Sequence, residues 1–241
     1  MNRMEFWTPD MIRFMQDAAE KTQYFSFIAQ RVRSLCPQAH TVCDAGCGTG
    51  SLSLKLSELF DSVTGADINR DAVQALKSQA ERKNISNIRP LCCNLIEDDR
   101  QKILGNGNFD VMVFSFFGRI GEALAIARRL GCKKIVIVRR NYRNHRFSLS
   151  QVPLDSSWSK DYREELEGLK YSVEDFEIEF GQPFRSLEDA ARFYEIYSRD
   201  TDRSLLTREN IEALLEKTGD VEFPYYLRKN RKCLLISVDL T

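Results

Sequence analysis

Val42-Cys43-Asp44-Ala45-Gly46-Cys47-Gly48-Thr49-Gly50 decides how this chain folds. TVCDA (41–45) reads as a short buried strand, and GSLSLKLSELF (50–60) reads as a helix. Between them stand three glycines at alternate positions. Glycine lets the backbone turn sharply and lets another molecule approach with no Cβ in the way. The helix that follows presents free N–H groups to whatever sits there. In an open α/β sheet, ligands bind beyond the carboxyl ends of the strands, where the strand order reverses. The spacing is G-x-G-x-G rather than G-x-G-x-x-G, and no G-K-[ST] follows, which excludes a P-loop.

Outward from that loop, strands and helices alternate. SVTGAD (62–67) is a second strand, followed by a helix over 70–83 with Asn69 as its N-cap. A short apolar strand covers 87–93, and a GNGN turn (105–108) leads into FDVMVFS (109–115). A helix over 119–130 precedes a fifth strand, KKIVIV (133–138). Repeated β-then-α units with apolar strands indicate a parallel, doubly wound sheet. Upstream, 9–35 carries one helical stripe (Met11, Met15, Ala18, Thr22, Phe25, Ala29, Val32), with Thr8 as cap and Pro9 near the first turn. Downstream, 139–158 reads as a polar loop and 159–169 as a helix. YSVEDFEIEF (171–180) alternates like a half-exposed antiparallel strand. Helices over 186–198 and 207–218 precede a last strand, KCLLISVDL (232–240). The expected architecture is one domain over 1–241, with an N-terminal helical lid (1–36) and a helical cap insertion (181–230) before the last strand.

Bulk composition narrows the function. Lys plus Arg equal Asp plus Glu at 35 each, so no whole-protein field draws nucleic acid or anionic lipid. No apolar run approaches the roughly 20 residues of a membrane span, and the N-terminus lacks the apolar core of a secretory signal. Seven cysteines in no small-secreted-domain pattern suit a reducing cytoplasm. With only His40 and His145 beside them, no zinc constellation, and no metal, is expected.

Asp67 ends the second strand about 20 residues after the glycine loop, where a carboxylate can accept both hydroxyls of a ribose. Together, DAGCGTG (44–50) and GADIN (65–69) resemble motifs I and II of the class I S-adenosylmethionine (SAM)-dependent methyltransferases, and the resemblance extends over about 40–140. It implies a Rossmann-like seven-stranded sheet with an antiparallel last strand, SAM as cofactor and S-adenosylhomocysteine (SAH) as product. It also implies that Asp44, Ala45, Gly46, Cys47, Gly48 and Gly50 hold the methionine end, Asp67 the ribose and Ile68 the adenine. Asn94, followed by Leu95, stands where the family often has an acidic residue near the adenine amino group.

Further candidates surround this core. Trp7, Tyr24 and Phe25 offer lid material or core packing; Tyr24 is the preferred contact, its hydroxyl reaching the methionine carboxylate. After the fourth strand, Ser115 is a candidate cofactor contact, and Phe116-Phe117, which could line the substrate pocket or simply pack, stand where adenine-N and glutamine methyltransferases place Asn-Pro-Pro-Tyr. That absence argues against those chemistries, and Phe117 becomes a substrate-pocket candidate. Arg139 to Arg146 bring four arginines, Tyr142 and His145 to one sheet edge. Arg140 and Arg143 would fork a carboxylate or phosphate; His145, with Tyr142, would serve catalysis as base. KNRK (229–232) adds basic charge in a turn. The leading expectation is methylation of a small molecule carrying an anionic group. RNA or protein methylation and non-catalytic SAM binding are the alternatives, and a homodimer is left open.

Overall fold

The structure is a computed structural model that describes residues 7–105, 107–154 and 162–241. Its elements run α1 (Pro9–Lys21), α2 (Tyr24–Leu35), β1 (Thr41–Ala45), α3 (Ser51–Leu56), β2 (Ser62–Asp67), α4 (Arg70–Arg82), β3 (Ile88–Cys92), α5 (Arg100–Leu104), β4 (Val111–Ser115), α6 (Ile120–Leu130) and β5 (Lys134–Arg140). There follow α7 (Tyr162–Glu165), β6 (Lys170–Glu179), β7 (Gln182–Phe184), α8 (Leu187–Tyr197), α9 (Arg208–Glu212), β8 (Glu216–Lys217), β9 (Tyr225–Leu227) and β10 (Asn230–Asp239).

The main sheet has seven strands in the order β3-β2-β1-β4-β5-β10-β6. The first five pair in parallel, and β10 inserts antiparallel between β5 and β6. The doubly wound sheet with an antiparallel last strand is therefore as expected. Strand order reverses between β1 and β4, which opens the crevice above the glycine loop. Alternation along each central strand splits the core into two layers. Val111 and Val113 of β4, Val136 and Val138 of β5, and Cys233 and Leu235 of β10 face α2 and α3. Met112, Phe114, Ile135, Ile137, Ile236 and Val238 face α6 instead. Among the described residues no helix is long and apolar enough to cross a membrane.

Three features depart from the sequence expectations. The single helical stripe over 9–35 is two helices. Thr22 turns its hydroxyl back to the Ala18 carbonyl at 2.8 Å, and its own backbone is extended (φ −126°, ψ 157°). That break points the two helices at different partners. Tyr24, Ile28, Ala29 and Val32 pack on the sheet, whereas Phe14 packs on Phe184 and Phe193 of the cap. Ion pairs from Arg13 to Asp189 (2.6 Å) and from Arg185 to Asp17 fasten the same junction. Second, the helix expected over 207–218 stops at Glu212, because Glu216 and Lys217 leave to pair with Tyr226 and Tyr225. The cap accordingly carries a three-stranded sheet, β7-β9-β8, beside its helices. Third, the helix expected over 159–169 is confined to Tyr162–Glu165 within the described residues; 159–161 lie outside them, as do the first six residues of the expected lid and Asn106 of the GNGN turn.

The glycine loop is built as its spacing implies. Gly46, Gly48 and Gly50 all adopt left-handed backbone, with φ of 68°, 52° and 80°. Gly50 caps α3, and a Cβ there would lie 2.3 Å from Leu76 Cδ1. Gly50→Ala therefore combines about 1–2 kcal/mol of left-handed strain with about 1–3 kcal/mol of overpacking. Urea unfolding should show a loss of roughly 2–4 kcal/mol; a loss under about 0.5 kcal/mol, the range of neutral surface changes, contradicts this view of the loop.

Candidate active site

The end of β2 holds the loop in place. The amides of Gly46 and Cys47 both donate to the Ala66 carbonyl, at 2.8 and 3.0 Å. One carboxylate oxygen of Asp67 accepts the Gly48 amide at 2.8 Å, and the other accepts the Asn69 amide at 2.9 Å. Asp67 is thus both a wall of the crevice and the clasp of its floor. Two rings lie against the bare backbone: a Cβ at Gly46 would meet Phe117 Cγ at 2.3 Å, and one at Gly48 would meet Trp7 Cζ2 at 2.7 Å.

Above the loop opens a cavity of about 1000 Å³. Its walls are Asp44, Gly46, Cys47, Gly48, Thr49, Ser51, Asp67, Ile68 and Asn69, together with Met15, Phe25, Ser115, Phe116, Phe117, Arg119, Glu122 and Arg231. Ile68, Ile96 and Phe116 are 42%, 49% and 42% exposed, and all three line this cavity. Large apolar side chains left open around one concavity mark a surface awaiting a ligand. Phe116 holds a left-handed φ of 57°, a conformation that costs energy for a bulky residue and clusters at binding sites.

Asp44 lies in the sheet beneath the loop, 1% exposed. Burial pushes its carboxyl up to about 7, against the opposing hydrogen bond from Ser53 Oγ at 2.7 Å. The nearby Asp67 charge adds to the rise, and burial also raises Asp67 itself. Two carboxyl groups that resist ionisation side by side favour a cationic ligand, which would let both ionise.

Of the residues singled out by the sequence, Asp44, Gly46, Cys47, Gly48, Asp67, Ile68, Ser115 and Phe117 are brought together around this cavity. Ala45 is fully buried in β1, and Gly50 serves as the cap of α3. Leu95 is in the core, and the Asn94 carbonyl oxygen is engaged by the amides of Ile96 (3.0 Å) and Glu97 (3.3 Å). Ile96 lines the cavity in their stead. Tyr24 is not brought there either: it is fully buried, its hydroxyl 3.8 Å from Cys233 Sγ. Burial accordingly raises its pKa far above the ordinary tyrosine value.

Tyr142, Arg143, His145 and Arg140 do not line the cavity. Their loop folds back on itself through His145 N to Val152 O (2.9 Å) and Leu154 N to Arg143 O (2.7 Å). Its apolar side chains Phe147 and Leu149 pack against the cap. Burial holds the His145 imidazole below its ordinary value, helped by Arg199 and Arg140. Among the described residues two basic side chains reach the cavity, Arg119 just before α6 and Arg231 within the KNRK stretch. Period-2 spacing puts Arg231 on the same face of β10 as Cys233 and Leu235, a signal present in the sequence but masked by the apparent turn.

Comparison with known proteins agrees with this geometry. A family model described as a methyltransferase domain matches residues 37–177, more than half of the chain. The chain belongs to this methyltransferase family. It is a class I SAM-dependent methyltransferase by family, and SAM is the family's cofactor. A curated relative from Methanobrevibacter smithii, named a probable cobalt-precorrin-6B C(15)-methyltransferase (decarboxylating), is 33% identical over 79 residues. That match covers 32% of this chain and 40% of the relative's length. A precorrin-6y C5,15-methyltransferase structure from Geobacter metallireducens superposes with a TM-score of 0.50 at 13% identity, covering 88% of each chain. A structure described as converting a disulfide bond into a thioacetal group during echinomycin biosynthesis gives 0.51 at 15% identity, over 90% of this chain and 82% of that one. At such identities the likeness establishes the fold.

The buried carboxyl sets a pH dependence. An acid whose folded value lies above its unfolded value of 3.8 weakens the fold as it ionises. For Asp44 that penalty is absent below about pH 4 and complete above about pH 7, and it is on the order of a few kcal/mol. Asp44→Asn keeps an acceptor for Ser53 and removes the charge. The ligand-free variant should differ least from the wild type below about pH 4 and melt at higher temperature above about pH 7. Parallel stability profiles for the two proteins would show that Asp44 is not the titrating group.

Proposed function

We propose that this chain transfers the methyl group of SAM to a small-molecule acceptor carrying an anionic group. The observation that carries the proposal is the single cavity running from the glycine loop to Arg231. Its volume of about 1000 Å³ stands at the top of the range of about 300–1000 Å³ for small-ligand sites. That leaves room for a nucleoside cofactor and a compact acceptor side by side.

When bound, SAM would supply a sulfonium methyl whose carbon the acceptor's nucleophile attacks in line, the C–S bond breaking to release neutral SAH. In this proposal the Gly46–Gly50 backbone and Asp44 hold the methionine end, and the Asp44 carboxylate balances the positive charge there. Asp67 takes the ribose hydroxyls, and Ile68 and Ile96 supply apolar contact for the adenine. Phe25 and Phe116 wall the acceptor, while the Phe117 and Trp7 rings lie against the Gly46 and Gly48 backbone that holds the cofactor. Positioning carries the rate: oriented reactants can gain about 7–11 kcal/mol, and the sequence's base candidates, His145 and Tyr142, lie outside the cavity. The curated relative is named for action on cobalt-precorrin-6B, which supports the small-molecule class.

Two measurements test the proposal. Isothermal titration should show SAM and SAH binding to the wild type, and Asp67→Ala should weaken SAM by about 1–3 kcal/mol through lost charge-assisted hydrogen bonds. Unchanged affinity removes Asp67 from the site. An SAH-release assay over pools of anionic and neutral metabolites should then give turnover confined to the anionic pool. Turnover only on RNA or protein would replace the acceptor class, and binding without turnover on any pool would leave a cofactor-binding protein.

A further inference from the structure

Two half-buried arginines, Arg146 and Arg231, stand without a carboxylate partner among the described residues. Arg231, at the start of β10, lines the cavity, and its guanidinium carbon sits 4.3 Å from the Phe180 ring centre, 4.8 Å from Phe116 and 5.0 Å from Tyr24. Arg146 lies 5.9 Å from the same Phe180 ring and 4.9 Å from Phe147. Backbone carbonyls take two of its donors: Phe180 O accepts from Nη2 at 2.7 Å and Asn230 O from Nε at 3.3 Å. The Nη1 group of Arg146 and the Nε of Arg231 are buried with no hydrogen-bond partner among the described residues. No described carboxylate comes within 4.0 Å of either guanidinium, although the neighbouring Arg228 is paired with both Glu179 and Glu216.

Such an arrangement is costly by itself. Burial, and then repulsion from Arg231, drive Arg146 down to about 9, and Lys229 is lowered by burial and by Arg146. Buried cations are normally paired, and buried donors are normally satisfied. A guanidinium held between aromatic rings at a cavity wall, with a donor unspent, is preorganised for an incoming planar or tetrahedral anion.

We propose that Arg231, with Arg146 behind it, forms an anion subsite at the acceptor end of the cavity, built to take a carboxylate or phosphate group of the methyl acceptor. The inference rests on the methyltransferase proposal for its acceptor but not for its anion. Arg231 is the contact, and Arg146 acts through it by adding field and by holding the β10 entry in place through the Phe180 and Asn230 carbonyls. The cluster Arg140–Arg143, suggested by sequence for the same task, is not part of this subsite.

The test uses the full chain with saturating SAH, titrated with inorganic phosphate or with sodium acetate at constant ionic strength. Binding is read by calorimetry and by the rise in melting temperature over a chloride control. At least one anion should bind the wild type, and the tighter of the two names the group. Arg231→Gln should weaken that anion at least tenfold, and Arg231→Lys, which keeps the charge but loses the fork, by only about threefold. A surface control, Arg208→Gln, should bind as the wild type does. The subsite is overturned if neither anion binds the wild type, which needs no variant to fold, or if Arg231→Gln binds as tightly as the wild type. It is equally overturned if Arg231→Gln loses SAH affinity and keeps the anion, since the guanidinium would then serve the cofactor's carboxylate. Anion binding by a wild type that takes no SAH would retain the subsite and remove the methyltransferase proposal instead.

Discussion

Three hydrogen bonds from the glycine loop to the end of β2 set the geometry on which the rest of this molecule depends. Gly46 and Cys47 give their amides to the Ala66 carbonyl, and Gly48 gives its amide to the Asp67 carboxylate. Only left-handed backbone at the three glycines allows those amides to turn toward a neighbouring strand. The consequence is a crevice with a backbone floor and a carboxylate wall, opened where the strand order reverses. Asp67 is therefore not free to be a ligand contact alone. Its charge is already shared with two amides, so the shape of the floor and the chemistry of the wall are one interaction.

The floor is complemented from far along the chain. Trp7, Met15 and Phe25 come from the N-terminal helical region, and Arg231 comes from the last strand. The break at Thr22 makes the first of these contributions possible. It lets α2 bury its apolar face on the sheet while α1 swings to the cap, where Phe14 and the Arg13–Asp189 and Arg185–Asp17 pairs dock it. α1 and the 181–230 segment are consequently one packed unit.

Electrostatically the cavity wall carries both signs of charge. Asp44 and Asp67 stand by the glycine loop, where burial raises both carboxyls. Arg231 stands among rings, with Arg146 near the same Phe180 ring, and Arg119 and Glu122 line the wall as well. A cation beside Asp44 and Asp67 would favour their ionisation, and an anion beside Arg231 would offset a charge that no described carboxylate pairs.

While the antiparallel last strand was implied by the family resemblance, the amino-acid sequence by itself determined the alternation of β1 to β5 with their helices and the glycine loop with its acidic partner. These are local signals: buried strands show as short apolar runs, helices as a 3.6-residue period, and left-handed turns as glycine at fixed spacing. Asp44, Gly46, Gly48, Asp67, Ile68 and Phe117 were legible because each lies within a few residues of such a signal. What only the tertiary structure decided is which distant side chains share the cavity. Tyr24 turns to the core, the Asn94 carbonyl is spent on its own turn, Arg140 ends β5 outside the cavity, and His145, Tyr142 and Arg143 stay in a loop closed on itself. Ile96 and Arg231 take the places at the wall. The small sheet of the cap was equally hidden, since strands of two or three residues carry no period to read. The reason is common to all of them: a side chain's direction into a pocket is set by packing between segments far apart in sequence, and no local pattern encodes that packing.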